Sequence, residues 1–144
     1  MDDKKKIIGY TTGVFDMFHV GHLNILKYAR NHCDYLIVGV STDELCESYK
    51  HKTPIIPFNE RVEIISSIKY VDEVIPQVDR DKFGAWERIK FDVMFVGDDW
   101  KGKPLFAELE NQFKQHGVKI EYIPYTSHIS SSILKQKLLK EDEP

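Results

Sequence analysis

Residues 6–32, "KIIGYTTGVFDMFHVGHLNILKYARNH", place a short apolar run, a glycine-containing turn and an amphipathic segment directly after one another. The run over 6–12 predicts a β-strand. Leu23 and Leu26 lie at helical spacing within residues 20–32, which predict a helix. A strand that leads into a helix is the repeating unit of α/β folds, so this stretch predicts the fold class.

The same alternation continues along the rest of the chain. Strands are predicted over 34–41, 72–78, 91–97 and 118–125, and helices over 60–71, 82–90, 104–117 and 130–141. Asn59 is the expected N-cap of the second helix, Gly117 the expected C-cap of the fourth, and Pro76 favours an edge position for the third strand. We therefore predict an α/β fold: a single Rossmann-like, doubly wound domain over residues 1–144, with its core in 5–138 and a five-stranded, mainly parallel sheet.

Composition narrows the class of protein. The chain has 144 residues, of which 42% are hydrophobic and 30% charged, and its net charge is −3, as is typical of a soluble globular protein. Without a basic block, a nucleic-acid partner is not expected. No apolar stretch approaches the ~20 residues that span a bilayer, and the N-terminus lacks the apolar region of a secretory signal. Cys33 and Cys46 form no CxxC pair, so we expect two reduced thiols in a cytoplasmic protein.

Ligands of parallel α/β sheets bind beyond the carboxyl ends of the strands. The loops to examine are those at 12–20, 41–58, 78–82, 97–104 and 125–130. The first of them contains no Gly-x-Gly-x-x-Gly, which argues against dinucleotide binding. The chain also lacks a Walker A motif, which argues against a P-loop kinase or ATPase.

His19 and His22 lie in the first loop, where the helix begins, with Gly21 between them. A three-residue spacing at this point can direct both imidazole rings toward the same space. Helix N-termini bind anions, and two imidazoles would add hydrogen-bond donors for a phosphate. Two alternatives remain: one capping histidine beside one surface histidine, or a metal site, for which no third ligand is evident nearby.

"GVFDMFHVGH", residues 13–22, resembles the signature of the nucleotidyltransferase superfamily, which pairs a Gly-x-Phe-Asp turn with His-x-Gly-His. "DYLIVGVSTDE" and "IKYVDEVIP" resemble later segments of the same family, in the same order. "VGDDWKG", residues 96–102, resembles the loop after the fourth strand of glycerol-3-phosphate cytidylyltransferases in particular.

The resemblance implies transfer of CMP from CTP to a small phospho-alcohol, with sn-glycerol 3-phosphate as the best candidate and CDP-glycerol and pyrophosphate as products. Phosphocholine, phosphoethanolamine, a capsule or wall precursor, and adenylyl transfer remain alternatives. A nucleotide-sensing module without turnover is the non-enzyme alternative. Mg²⁺ is expected to accompany the triphosphate, and the family implies a homodimer without a membrane or nucleic-acid partner.

The resemblance also assigns roles to residues. Catalytic roles fall on His19, His22 and Lys52. Nucleotide contacts are implied for Thr12, Gly13, Val14, Phe15, Gly21, Asp99, Tyr125, Ile129, Ser130 and Ser131, and substrate contacts for Lys50, Lys52, Arg61 and Trp100. No residue is assigned to a metal.

Several of these residues also have a simpler interpretation. Lys50 and Lys52 could be a solvated pair in a polar loop, and Arg61 a surface charge in the first turn of a helix. Trp100 could be a half-buried core aromatic, and Trp86 is expected in the core. The pair Asp98-Asp99 could serve acid–base chemistry or a magnesium ion, although the resemblance favours base recognition by Asp99.

Two positions complete the expectations. Asp16 is interpreted as a local Asx hydrogen bond that shapes its loop, in preference to a catalytic group. Near the C-terminus, Tyr125 and His128 stand where the family carries arginine and glycine, which weakens the expected phosphate contacts there. The serines from Ser130 to Ser132 still suit a triphosphate, while a helix cap would explain only one of them.

Overall fold

A computed structural model describes residues 5–124, residue 134 and residues 136–139. Its elements, in chain order, are β1 (Ile8–Gly13), α1 (Val20–Asn31), β2 (Tyr35–Ser41), α2 (Asp43–Lys50), α3 (Phe58–Ser66), β3 (Glu73–Gln77), α4 (Lys82–Ile89), β4 (Val93–Gly97), α5 (Pro104–Lys114) and β5 (Lys119–Ile123). A 3₁₀ turn, Asp98–Trp100, follows β4. Most of the helix predicted over 130–141 lies outside the described residues, although Leu134 and residues 136–139 are helical.

The five strands form one sheet in the order β3-β2-β1-β4-β5, and every pair is parallel. The predicted α/β class is confirmed, and the sheet is wholly rather than mainly parallel. Pro76 lies on the edge strand β3, as its missing N–H requires. The strand order reverses at β1, which has β2 on one side and β4 on the other, so the crevice for a ligand is expected where β1 and β4 end.

Apolar layers cover both faces of the sheet. One layer contains Leu26 of α1 and Ile65 of α3 against Val38, and the other contains Tyr10 with Phe113 of α5. Coverage on both faces explains the uninterrupted apolar sequence of β2, in which every residue from Leu36 to Ser41 is buried. Both cysteines are free, as expected, and both are buried.

Several predicted boundaries are wrong, and the helix predicted over 60–71 already ends at Ser66. Residues 43–50 form α2 rather than a loop, and the Thr42 side chain caps that helix by accepting a hydrogen bond from the Leu45 N–H. Asn59 is not a cap, because α3 already begins at Phe58 and Pro57 occupies the N-cap position. The helix predicted to Gly117 ends at Lys114, although Gly117 does adopt the left-handed backbone that favours glycine, with φ of 75°.

The amino ends of the strands share one bonding device. Asp34, Asp72 and Asp92 each precede a strand, and their carboxylates accept hydrogen bonds of 2.8, 2.8 and 2.9 Å from the backbone N–H groups of Ile7, Leu36 and Ile8. The N–H of each aspartate donates back to the carbonyl of the same partner. These reciprocal pairs fix the start of each strand against its neighbour.

Candidate active site

The turn between β1 and α1 is organised by the two histidines. His19 is the N-cap of α1, and its Nδ1 accepts a hydrogen bond of 3.0 Å from the Gly21 N–H. His22 Nδ1 accepts one of 3.3 Å from the His19 N–H, which completes a capping box. The interpretation of His19 as a cap is therefore correct, but His22 is half-buried and is not a surface residue.

Both rings keep their second nitrogen for another partner. Because each Nδ1 accepts a backbone hydrogen bond, the network assigns the proton of the neutral imidazole to Nε2 in both rings. The rings of His19 and His22 stack, with centroids 3.9 Å apart and planes at 22°. His19 Nε2 is buried and finds no hydrogen-bond partner among the described residues. This nitrogen is therefore available as a donor to an acceptor that a bound ligand brings.

Burial keeps both imidazoles uncharged. It lowers the pKa of His22 to about 4. The neighbouring His19 also lowers this pKa, while Asp16 raises it by a smaller amount. Burial also lowers the pKa of His19. Near neutral pH the pair therefore offers N–H donors to an anion at the start of α1, and no formal positive charge.

The β1 loop, residues 14–19, has an unusual backbone. Phe15 and Met17 adopt left-handed φ values of 55° and 49°, which cost free energy in residues other than glycine. Between them, the buried Asp16 carboxylate accepts hydrogen bonds of 2.9 Å from the N–H groups of both Ile55 and Ile56. Asp16 was expected to bond within its own loop, but these two partners lie far away in sequence, in the segment that precedes α3.

The other residues of the first loop take different parts in the site. The Phe15 side chain is buried in the core and contacts the His22 ring edge-on at 5.4 Å, so only its backbone could meet a nucleotide. A Cβ at Gly13 would lie 3.0 Å from the Phe15 ring, which explains why glycine ends β1. The Val14 carbonyl already accepts a hydrogen bond from Arg61, while Thr12 is half-buried. Gly21 is buried at the start of α1.

The basic residues after β2 are exposed. Lys50 is the last residue of α2 rather than part of a loop, and its Nζ lies 5.5 Å from the centroid of the Tyr49 ring. His51 ends the helix with a left-handed φ of 56°, and Lys52 follows it. Lys52 thus belongs to residues 52–57, here called the Lys52 segment, which donates two backbone hydrogen bonds to Asp16 of the β1 loop.

The expectation that Arg61 contacts substrate is contradicted by its burial. Its side chain is 0% exposed, and its guanidinium lies 2.6 Å from the Asp43 carboxylate. It also donates hydrogen bonds to the backbone carbonyls of Ile56, Val14 and Ser41. With its donors engaged by the protein, Arg61 is a structural cation between several loops. Sequence reasoning missed its partner Asp43, although the Thr-Asp-Glu sequence at 42–44 signals the helix that holds it.

The turn after β4 lies beside the β1 loop in the sheet order. Asp98, Asp99 and Trp100 are all exposed there. The Trp100 ring packs on Phe106 at a centroid distance of 5.3 Å yet stays 41% exposed, so one face can wall a pocket. Trp86, which was expected in the core, is half-buried and packs against the second apolar layer from its margin.

The remaining predicted site residues, Tyr125, Ile129, Ser130 and Ser131, lie outside the described residues. Within the parts of the chain that are described, no group of three or more His, Cys, Asp or Glu side chains could hold a metal ion. None of the described helices is both long and apolar enough to cross a membrane.

The wholly parallel sheet, with imidazole donors just beyond the strand at which its order reverses, defines an α/β protein with a ligand site at the switch point. The chain belongs to the cytidylyltransferase-like family, whose family model matches residues 10–137. The resemblance inferred from the His-x-Gly-His signature is thereby confirmed.

Individual relatives differ in the reaction their names describe. The chain is 37% identical to glycerol-3-phosphate cytidylyltransferase of Bacillus subtilis, over 93% of this chain and 97% of that protein. It is 36% identical to FAD synthase of Thermococcus kodakarensis, over 86% of this chain and 84% of that protein. A solved structure, a lipopolysaccharide core biosynthesis protein from Thermoplasma volcanium, superposes with a TM-score of 0.70 at 29% identity, covering 87% of this chain and 100% of that one.

Proposed function

We propose that the protein transfers CMP from CTP to sn-glycerol 3-phosphate, forming CDP-glycerol and pyrophosphate. The observation that carries the proposal is the stacked, uncharged pair His19 and His22, whose Nδ1 atoms are held by the backbone and whose Nε2 atoms remain donors. The identity to a glycerol-3-phosphate cytidylyltransferase over nearly the whole chain supports this acceptor.

The reaction needs no protein nucleophile. A phosphate oxygen of the acceptor attacks the α-phosphorus of CTP in line, forming a new P–O bond while the bond from the α-phosphorus to the bridging oxygen breaks. The electron pair of that bond leaves with pyrophosphate. Negative charge therefore grows on the phosphate oxygens, where the Nε2–H groups of His19 and His22 would donate hydrogen bonds. Neutral donors held by a capping box need little reorganisation as the charge develops.

The other groups would bind and orient the reactants. Lys52, with Lys50, would hold the phosphates of substrate and triphosphate from the exposed side of the crevice. Asp99 would accept a hydrogen bond from the cytosine amino group, and Trp100 would wall the base pocket. Tyr125, Ile129, Ser130 and Ser131 remain predictions for the nucleotide. Mg²⁺, held mainly by phosphate oxygens and water, would neutralise part of the triphosphate charge.

A second candidate is adenylyl transfer, which is favoured by the 36% identity to an FAD synthase. Making FAD from FMN joins an AMP unit to a phosphate, so the same in-line displacement would serve with ATP as donor and FMN as acceptor. The two candidates differ in the base pocket and in the size of the acceptor.

A matrix of nucleotides and acceptors separates the candidates. CTP and ATP would each be combined with sn-glycerol 3-phosphate, phosphocholine, phosphoethanolamine and FMN, with pyrophosphate release as the readout. We expect release with CTP and sn-glycerol 3-phosphate to exceed every other combination by at least tenfold. Preferred release with ATP and FMN would establish the second candidate. CTP binding without pyrophosphate in any combination would indicate a sensing module.

A further inference from the structure

We propose that Arg61 is a positioning residue, which sets the β1 loop and the Lys52 segment at the separation that catalysis requires. The inference rests on the proposed function, since it gives both segments a part in the same reaction. It concerns a side chain that is 0% exposed and touches neither reactant.

Arg61 bonds four residues, which come from three parts of the chain. Its Nη1 donates hydrogen bonds of 2.8 Å to the carbonyl of Val14 in the β1 loop and to that of Ser41 at the end of β2. Its Nε donates to the Ile56 carbonyl at 2.9 Å, and its Nη2 contacts the Asp43 carboxylate at the start of α2 at 2.6 Å. We call Arg61 with these partners the Arg61 clasp.

Asp16 bonds the same segment as Arg61. The buried Asp16 accepts hydrogen bonds from the N–H groups of Ile55 and Ile56, while Arg61 binds the Ile56 carbonyl. One peptide segment is thus held through both its donors and its acceptor. The β1 loop is held through Val14 on one side and Asp16 on the other, only a few residues before His19.

The β1 loop needs such support because Phe15 and Met17 both have left-handed backbones. Conformations of this kind persist only where surrounding contacts impose them. If the clasp is removed, the loop can relax, and the imidazoles of His19 and His22 then shift relative to Lys52. A displacement of about 1 Å is enough to cost about 10²-fold in rate, even when the changed residue lies away from the reacting atoms.

Arg30, near the amino ends of the strands, offers a matched control. Its Nε lies 2.9 Å from the Asp72 carboxylate, and its Nη1 donates to the Cys33 carbonyl at 3.1 Å. Arg30 therefore combines an aspartate and a backbone carbonyl, as Arg61 does, but it bonds only the amino ends of the strands. Replacing either arginine by methionine keeps most of the side-chain length and removes every donor.

The test compares Arg61→Met, Arg61→Lys and Arg30→Met with the wild-type protein, at a temperature where circular dichroism shows each to be folded. We expect kcat, per CTP-binding site, to fall about 10²-fold in Arg61→Met, with KM for CTP changed less than threefold. Arg61→Lys is expected to recover less than a tenth of the lost rate, since an ammonium group cannot reach four partners at once. Arg30→Met is expected to retain kcat within twofold.

NMR spectra of the imidazoles supply a readout that does not need turnover. We expect the His19 and His22 resonances to move in Arg61→Met and to stay in place in Arg30→Met. If Arg61→Met does not fold, Asp16→Asn, which removes an acceptor of the same support, is expected to show the same loss of kcat and the same shifts. Wild-type kcat and unmoved imidazole resonances in the folded Arg61 variants, or full rescue by lysine, would overturn the proposal. If the wild-type protein transfers no nucleotide, the proposed function fails, and the imidazole shifts alone decide the positioning role.

Discussion

The sheet has an amino edge and a carboxyl edge, where its parallel strands begin and end, and polar groups are bonded in opposite ways at the two. At the amino edge, Asp34, Asp72 and Asp92 each exchange two hydrogen bonds with a residue at the start of the neighbouring strand. At the carboxyl edge, His19 and His22 direct Nδ1 toward the backbone, and His19 Nε2 is left buried without a partner among the described residues.

This difference indicates that polar groups at the amino edge stabilise the fold, whereas those at the carboxyl edge serve the reaction. Buried polar groups are almost always paired, so an edge that pairs them internally contributes to stability alone. At the carboxyl edge, the unpaired His19 Nε2 is a donor that an acceptor on a bound ligand could satisfy. Substitutions at the two edges should accordingly change different quantities, namely the free energy of unfolding at the amino edge and turnover at the carboxyl edge.

The largest expected effect is on turnover and comes from the histidines. His22→Ala or His19→Ala should lower kcat by about 10²–10³-fold, or about 3 kcal/mol, because each removes one donor to the reacting phosphates. Steady-state pyrophosphate release with CTP and the preferred acceptor measures the loss. A variant that stays within threefold of the wild-type rate would remove that histidine from the catalytic site.

His19 also caps α1, so its two roles need to be separated. His19→Asn keeps an oxygen that can accept the Gly21 N–H, and its free energy of unfolding should match wild type more closely than that of His19→Ala. Its turnover should remain as low as that of the alanine variant, because the amide cannot place a donor where Nε2 lies. Restored turnover in His19→Asn would reduce His19 to a cap.

The amino edge should respond in stability instead. Asp72→Ala removes the acceptor of the Leu36 N–H and the partner of Arg30, which should lower the free energy of unfolding by about 1–3 kcal/mol. Urea unfolding measures this loss, with Glu108→Ala, an exposed acid on α5, as the control. A fall in kcat of more than threefold in Asp72→Ala would contradict the separation of the two edges.

A smaller effect on turnover is expected from Lys52. Because Lys52 is exposed, Lys52→Ala should leave the melting temperature within about 1 °C. Its KM for an anionic substrate should rise about tenfold, with a lower kcat, since a phosphate contact is lost. Lys69→Ala, on an exposed lysine beyond α3, is the control. Unaltered kinetics in Lys52→Ala would mean that Lys52 is a solvated charge that contacts no substrate.

The smallest expected effect is the pH dependence that His22 adds to stability. Burial lowers its pKa in the folded protein to about 4, below the usual value of 6.5, so the unfolded chain binds more protons between these values. The contribution of His22 is therefore complete above pH 6.5 and declines as the pH falls toward 4. At pH 5.5 the loss should be on the order of 1 kcal/mol.

His22→Gln removes this titration, and so the difference in unfolding free energy between wild type and variant should shrink as the pH falls from 7.5 to 5.5. Urea unfolding at several pH values measures it. A difference that stays constant over this range would mean that His22 is not buried in its neutral form.

The alternation of strands and helices was predictable because periodicity reports burial directly. The apolar run of β2 predicted a strand that is covered on both faces, and the helical spacing of Leu23 and Leu26 predicted a helix, α1, that packs on the sheet. Helix α2 was missed because it buries only Leu45 and Cys46, which is too little apolar surface to produce a clear period. The capping residue Thr42 and the acidic first turn were its only strong signal.

The candidate site was predictable where its residues are close in sequence. His19 and His22 are three residues apart at a helix start, so the chain itself brings their rings together, and His-x-Gly-His with the segments that follow it indicated the family that the comparisons confirm. The charge state and tautomer of the pair were not predictable. Burial and the backbone N–H groups that bind each Nδ1 decide them.

Arg61 marks the limit of the sequence most clearly. As a sequence it is a cation in the first turn of a helix, equally suited to solvent or to a phosphate. Its actual partners, Val14, Ser41 and Asp43, precede it by 47, 20 and 18 residues and meet it only after the sheet has formed. The sequence by itself determined the α/β fold and the family, because burial patterns and a local motif are written along the chain. Only the tertiary structure decided which charges are free to meet a ligand, because partners for a charge come from whatever the fold places within hydrogen-bonding distance.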